Sequence, residues 1–280
     1  MYCVTTYHEP LSLFLYAGIY IIPFCSVESF IKILTVYSSC DGDKALCFQF
    51  FVELANELVG VGPPSSYNEN DDKKYPMLFF LHGHGECGTD NELQIRVLHK
   101  ENRLIDMTIE RDDCIIVAPQ CPCNTELEWV PVNHKWNTGS RALTEEPTVG
   151  MAAAMELLDK FLACGKVDLS RVYAAGISMG GYGTWELITR RPEVFAAAVP
   201  VCGSGIPDMA DKLVNMGIWA FHGEADGTVP SQGTRDMEAA IKAAGGTKMK
   251  ATYFPGVGHD SWIPAYKTEG LMNWLFSQKK

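Results

Sequence analysis

No lysine or arginine precedes Lys32, so the first 25 residues lack the basic head of a secretory signal, and no A-x-A cleavage pattern follows them. Positive charge is scarce throughout: 23 lysines and arginines stand against 34 aspartates and glutamates, a formal net charge of -11. Nucleic acid and anionic membrane surfaces would repel such a chain, which sets both aside as expected partners. Long apolar runs are also wanting. Leu11 to Cys25 has the length of a signal-peptide core but is too short to span a bilayer comfortably. The ten cysteines contain no zinc signature, because Cys121-Pro122-Cys123 has no second pair at metal-ligand spacing. Cys114 and Cys202 lie in apolar, strand-like runs and read as free buried thiols, and the even count alone establishes no disulfide. Internal repeats and low-complexity segments are absent. The expectation is a cytoplasmic protein, with secretion left open if residues 1–25 act as a signal; its oligomeric state is not legible.

What is present is enough apolar sequence, 47% of 280 residues, to bury a sizeable core. A single domain is expected over 29–280, preceded by an N-terminal extension, 1–28, that reads either as a signal or anchor or as a packed segment. Phe48, Phe50, Val52 and Leu54 recur at period two, and Asp41-Gly42 marks a turn, so an antiparallel entry of strands is expected over 29–60. A polar, turn-rich stretch runs from Gly62 to Lys74. Strands are then expected at 77–81, 114–118, 171–176, 195–201, 218–222 and 249–254. Helices are expected near 91–101 and at 147–163, 180–190, 208–216, 231–244 and 264–277. In 147–163, Met151, Met155, Leu158 and Leu162 lie at helical spacing, a core stripe. This alternation predicts an α/β fold: a mostly parallel, doubly wound sheet with helices on both faces and ligands at the carboxyl ends of the strands.

At one such end stands Gly176-Ile177-Ser178-Met179-Gly180-Gly181, after an apolar strand and before a helix. A G-x-S-x-G there presents a serine on a tight strand-to-helix turn whose glycines permit backbone to pass close to backbone. A serine hydroxyl needs a base and an orienting acid, which in this architecture follow in the order Ser, Asp or Glu, His. After the 218–222 strand comes His222-Gly223-Glu224-Ala225-Asp226, offering Asp226 with Glu224 as competitor. After the last strand comes Gly258-His259-Asp260-Ser261-Trp262, offering His259. His82 and His222, each in a His-Gly pair, read as turn supports, and His99 and His134 as loop or solvated residues. Two backbone N–H groups are needed for the developing oxyanion. Met179, next after the serine, supplies one, and His84 in Leu81-His82-Gly83-His84-Gly85-Glu86 is the candidate for the other.

These four motifs, in this order, resemble the α/β-hydrolases. The closest likeness is to bacterial esterases labelled predicted peptidases, relatives of the phospholipase/carboxylesterase, polyhydroxybutyrate depolymerase and feruloyl esterase groups; it covers about residues 75–278. The resemblance implies the α/β-hydrolase fold, a Ser178–Asp226–His259 triad with the acid at Asp226 rather than Glu224, and hydrolysis of carboxylic esters with no metal or other cofactor. Short acyl or carbohydrate-linked acetyl and feruloyl esters are the implied substrates. Gln120, at the end of the 114–118 strand, and Trp136 and Trp262 are candidate substrate contacts. Trp185 could join Trp136 and Trp262 in an aromatic platform, yet a buried tryptophan is more often packing. The 121–147 connection is long for its place and is the expected specificity element. A serine peptidase of prolyl-oligopeptidase type and a non-catalytic binding protein on the same fold are the alternatives.

Overall fold

The computed structural model describes residues 59–62, 71–95, 104, 108, 114–122, 128–131 and 141–280. The extension 1–28, the strands expected over 29–58, Trp136, His99 and His134 lie outside the described residues. Among the described residues seven strands make one sheet: β1 (Val59–Gly62), β2 (Tyr75–Leu81), β3 (Ile115–Pro119), β4 (Val167–Ile177), β5 (Ala197–Val201), β6 (Gly217–Gly223) and β7 (Met249–Phe254). Their order is β1-β3-β2-β4-β5-β6-β7. Six are parallel, and β1 runs antiparallel on β3, with Val59 opposite Pro119 and Gly62 opposite Ile116. That is the mostly parallel sheet that the alternation predicts; of the antiparallel entry expected over 29–60, only its last residues fall in β1, which runs on to Gly62.

Every residue of β2 is buried, as a central parallel strand covered on both faces requires. Its side chains divide by period two. Met77, Phe79 and Leu81 pack with Met151, Leu158, Trp185, Ile188, Met237 and Ile241, which belong to α1 (Val149–Ala163), α2 (Met179–Arg190) and α3 (Gln232–Ala243). Leu78 and Phe80 face the other layer, where Tyr266, Leu275 and Phe276 come from α4 (Trp262–Tyr266) and α5 (Leu271–Ser277). Thr148 caps α1 by accepting the N–H of Met151 at 3.1 Å.

Two expected helices differ in form. The 208–216 helix is a 3₁₀ segment, Pro207–Leu213, kinked at Met209 (φ -113°, ψ 15°). The 264–277 helix is two helices, because Gly270 adopts φ 80° and restarts the chain as the N-cap of α5. Of the helix expected near 91–101, residues 93–95 are helical and 96–101 lie outside the described residues. From β2 the chain winds one way to β3, and from β4 the other way to β7. The switch falls between the carboxyl ends of β2 and β4, where a doubly wound sheet opens a crevice.

Candidate active site

Ser178 stands at that crevice with φ 54° and ψ -118°, a conformation an L-residue adopts only under constraint. The constraint is backbone packing: a Cβ on Gly176 would lie 2.3 Å from the carbonyl oxygen of Gly180, and one on Gly180 would lie 1.9 Å from that of Leu81. The two glycines let the turn close on itself and on β2, and the serine is left partly exposed at its apex.

The chain gathers the three expected side chains. Ser178 Oγ lies 2.7 Å from Nε2 of His259, whose Nδ1 lies 2.8 Å from Oδ2 of Asp226. The Asp226 side chain is fully buried. Its Oδ1 accepts the N–H groups of Thr228 and Val229, both at 2.9 Å, and its Oδ2 lies 3.5 Å from Nε2 of His222. Burial pushes this carboxyl up, yet the hydrogen bonds from His222, His259, Val229 and Thr228 outweigh it and hold the group well below the usual carboxylate range. Glu224 is turned away and pairs with Arg235 at 2.6 Å.

His222 does more than support its own turn. Its Nε2 donates to the Val229 carbonyl at 2.9 Å, and its Nδ1 meets Thr234 Oγ1 at 2.8 Å, so the imidazole ties the Asp226 loop to α3. His82 has the role expected of it. Its Nδ1 donates to the Gly83 carbonyl at 2.6 Å and its Nε2 accepts the N–H of Cys121 at 2.8 Å. Burial lowers its pKa to about 4, so the ring is neutral and can accept. Trp129 Nε1 donates to the His82 carbonyl at 3.0 Å. The loop so braced lies against Ser178, since a Cβ on Gly83 would be 3.5 Å from the Ser178 Cβ. The His84 side chain points to solvent, 3.8 Å from the buried carboxylate of Glu128.

Gln120 is turned to the neighbouring loop. It is buried, its amide donates to the Glu86 carbonyl and to Asp90 Oδ1, each at 3.0 Å, and its oxygen accepts the Asn91 N–H at 2.7 Å. Three of its four hydrogen-bonding positions brace residues 86–91, so the side chain serves as a brace and not as the expected substrate contact. Trp185 is core. Trp262 stands edge-on to the His259 ring, with centroids 5.6 Å apart. Sequence reading also missed a buried hub: Glu186 on α2 accepts from Arg190 Nε at 2.9 Å and from Arg141. Arg190 in turn donates to the Thr144 carbonyl at 2.9 Å, so the returning end of the 121–147 connection is fastened to the helix that follows Ser178. Cys114 and Cys202 are buried thiols outside any disulfide, as expected, while Cys87 is disulfide-bonded. No helix among the described residues is long and apolar enough to cross a membrane.

Residues 137–263 match the dienelactone hydrolase family profile. No protein of curated function matches the chain. Among solved structures, a thermostable esterase is 34% identical with a TM-score of 0.64, over 79% of this chain and 59% of that one. A ferulic acid esterase is 20% identical with a TM-score of 0.56, over 78% and 90% of the two chains. A Mycobacterium tuberculosis puromycin-hydrolysing peptidase is 14% identical with a TM-score of 0.54, over 79% and 37%. The chain thus spans less than two thirds of the thermostable esterase, and the last two likenesses concern the fold alone.

Proposed function

We propose that this chain, a member of the α/β-hydrolase superfamily, is a serine hydrolase that cleaves carboxylic esters through an acyl-enzyme on Ser178. The observation that carries the reading is the unbroken chain Ser178 Oγ to His259 Nε2 to Asp226, at 2.7 and 2.8 Å. Because Nδ1 of His259 faces a carboxylate, it holds the proton there, and Nε2 is left with its lone pair toward the serine hydroxyl. At Nε2 His259 takes the Ser178 hydroxyl proton as Oγ attacks the ester carbonyl, then delivers it to the departing alcohol. Water repeats the sequence on the acyl-enzyme. Asp226, kept ionised by its hydrogen bonds, stabilises the transient imidazolium.

The oxyanion falls to the N–H groups of Met179 and His84. Met179 is the first residue of α2, whose opening N–H groups have no partner within the helix. His84 follows Gly83, which lies against Ser178. Each such donor is worth ~3 kcal/mol in the transition state. No step calls for a metal or organic cofactor. Short acyl esters and carbohydrate-linked acetyl or feruloyl esters are the proposed substrates, with Trp262, beside His259, as a wall of the site. The test is a panel of p-nitrophenyl esters and methyl ferulate beside matched amides. Turnover of esters with little on amides is expected; turnover of amides in preference to every ester would overturn the reading in favour of a peptidase.

A further inference from the structure

The candidate triad backs onto a buried thiol. Cys202 follows β5 at φ 41°, fixed by its N–H bond to the Phe221 carbonyl at 2.9 Å. Its Sγ, a carboxylate oxygen of Asp226 and a ring nitrogen of His259 all lie within 4.8 Å of one another. The Ser261 hydroxyl faces the thiol, and the Tyr266 phenol lies near it. Both residues are fully buried, and neither oxygen has a nitrogen or oxygen partner. Buried hydroxyls are rarely left so, since each costs ~1–3 kcal/mol. Ester hydrolysis by the triad uses none of the three groups.

We propose that Cys202, Asp226 and His259 form a latent site for a thiophilic divalent cation, zinc or cadmium, whose binding switches the triad off. A sulfur, an imidazole nitrogen and a carboxylate oxygen are the donors such ions select, and the Ser261 hydroxyl or a water completes four. Ligand bonds of about 2.0–2.3 Å require the donors to draw together slightly, and His259 is the partly exposed member of the three. Coordination through Nδ1, the nitrogen on the Asp226 side, expels its proton to Nε2. The ring then presents an N–H, not a lone pair, to Ser178, and it loses its orienting carboxylate to the metal. The Cys202 thiol binds as thiolate, so one proton leaves to solvent for each cation bound.

The experiment titrates cadmium chloride into the chelator-treated full chain, as wild type, C202A and C202S. It follows cadmium–thiolate ultraviolet absorption and the rate at which a fluorophosphonate labels Ser178. The expected result is that cadmium slows labelling of wild type reversibly. Both variants label at the wild-type rate without metal and need on the order of tenfold more cadmium for the same slowing, a lower bound for loss of a direct ligand. Absorption of wild type exceeds that of either variant by one saturable cadmium–thiolate signal. Should C202A fail to fold, the near-isosteric C202S carries the comparison. Equal cadmium sensitivity in wild type and variants, or no absorption difference between them, would overturn the site. If metal-free wild type is not labelled at all, the serine hydrolase reading fails, while the absorption difference still decides whether the cation binds at Cys202.

Discussion

Asp226 Oδ2 lies 2.8 Å from Nδ1 of His259, while Glu224, two residues earlier in the same loop, is engaged 2.6 Å from Arg235. Spacing leaves these two carboxylates as rivals for the acid, and the geometry separates them. Asp226→Asn should retain the fold and lower kcat by ~10⁴, because an amide cannot hold the His259 tautomer. Glu224→Gln should keep near-wild-type activity, its partner being an exposed surface arginine. Parallel kinetics on one ester read both.

Gln120 spends its amide on Glu86, Asp90 and Asn91, all in the loop that bears His84. Gln120→Leu strands the Asn91 N–H and slackens that loop, at ~1–3 kcal/mol in stability. Its kcat should fall by the same factor for acetyl, butyryl and feruloyl esters. A change in the ranking of those esters would return Gln120 to the substrate contacts.

Glu186 is buried between Arg141 and Arg190. Glu186→Gln leaves two largely buried guanidinium groups uncompensated and should cost ~3–5 kcal/mol by urea denaturation. Arg190→Gln, which keeps the Arg141 pair, should cost clearly less.

His82 has a pKa lowered by burial to about 4, against about 6.5 in the unfolded chain. Its folded form resists protonation, so the stability it contributes is complete above about pH 6.5 and declines as pH falls toward 4, on the order of 3 kcal/mol in all. Asp226, with its pKa depressed, adds a loss only below this window. Denaturant midpoints followed from about pH 7 to about pH 4 should fall in wild type and fall less in His82→Gln, which cannot titrate.

The turn around Ser178 was legible because its glycines are demanded by contacts under 2.5 Å with neighbouring backbone, and no other residue fits there. Asp226 and His259 were legible from chain order, since parallel strands deliver successive loops to one sheet edge. Gln120 was not: its place at a strand end gives its depth in the sheet but not the direction of its amide. The break at Gly270 was hidden because helical apolar spacing continues across it from Ala265 to Met272 and Phe276. The Arg141–Glu186 pair joins distant segments that no local periodicity connects. His222 could have been suspected, as an imidazole at the end of an otherwise apolar buried strand must find partners, here Val229 and Thr234.

The most direct measurement is intact-mass analysis after fluorophosphonate treatment of wild type and Ser178→Ala. Wild type should gain the mass of one phosphonyl group, located by digestion at Ser178, and Ser178→Ala, folded equally well, should gain none. A folded wild type that is never labelled, or a variant labelled as fast as wild type, would contradict Ser178 as the nucleophile.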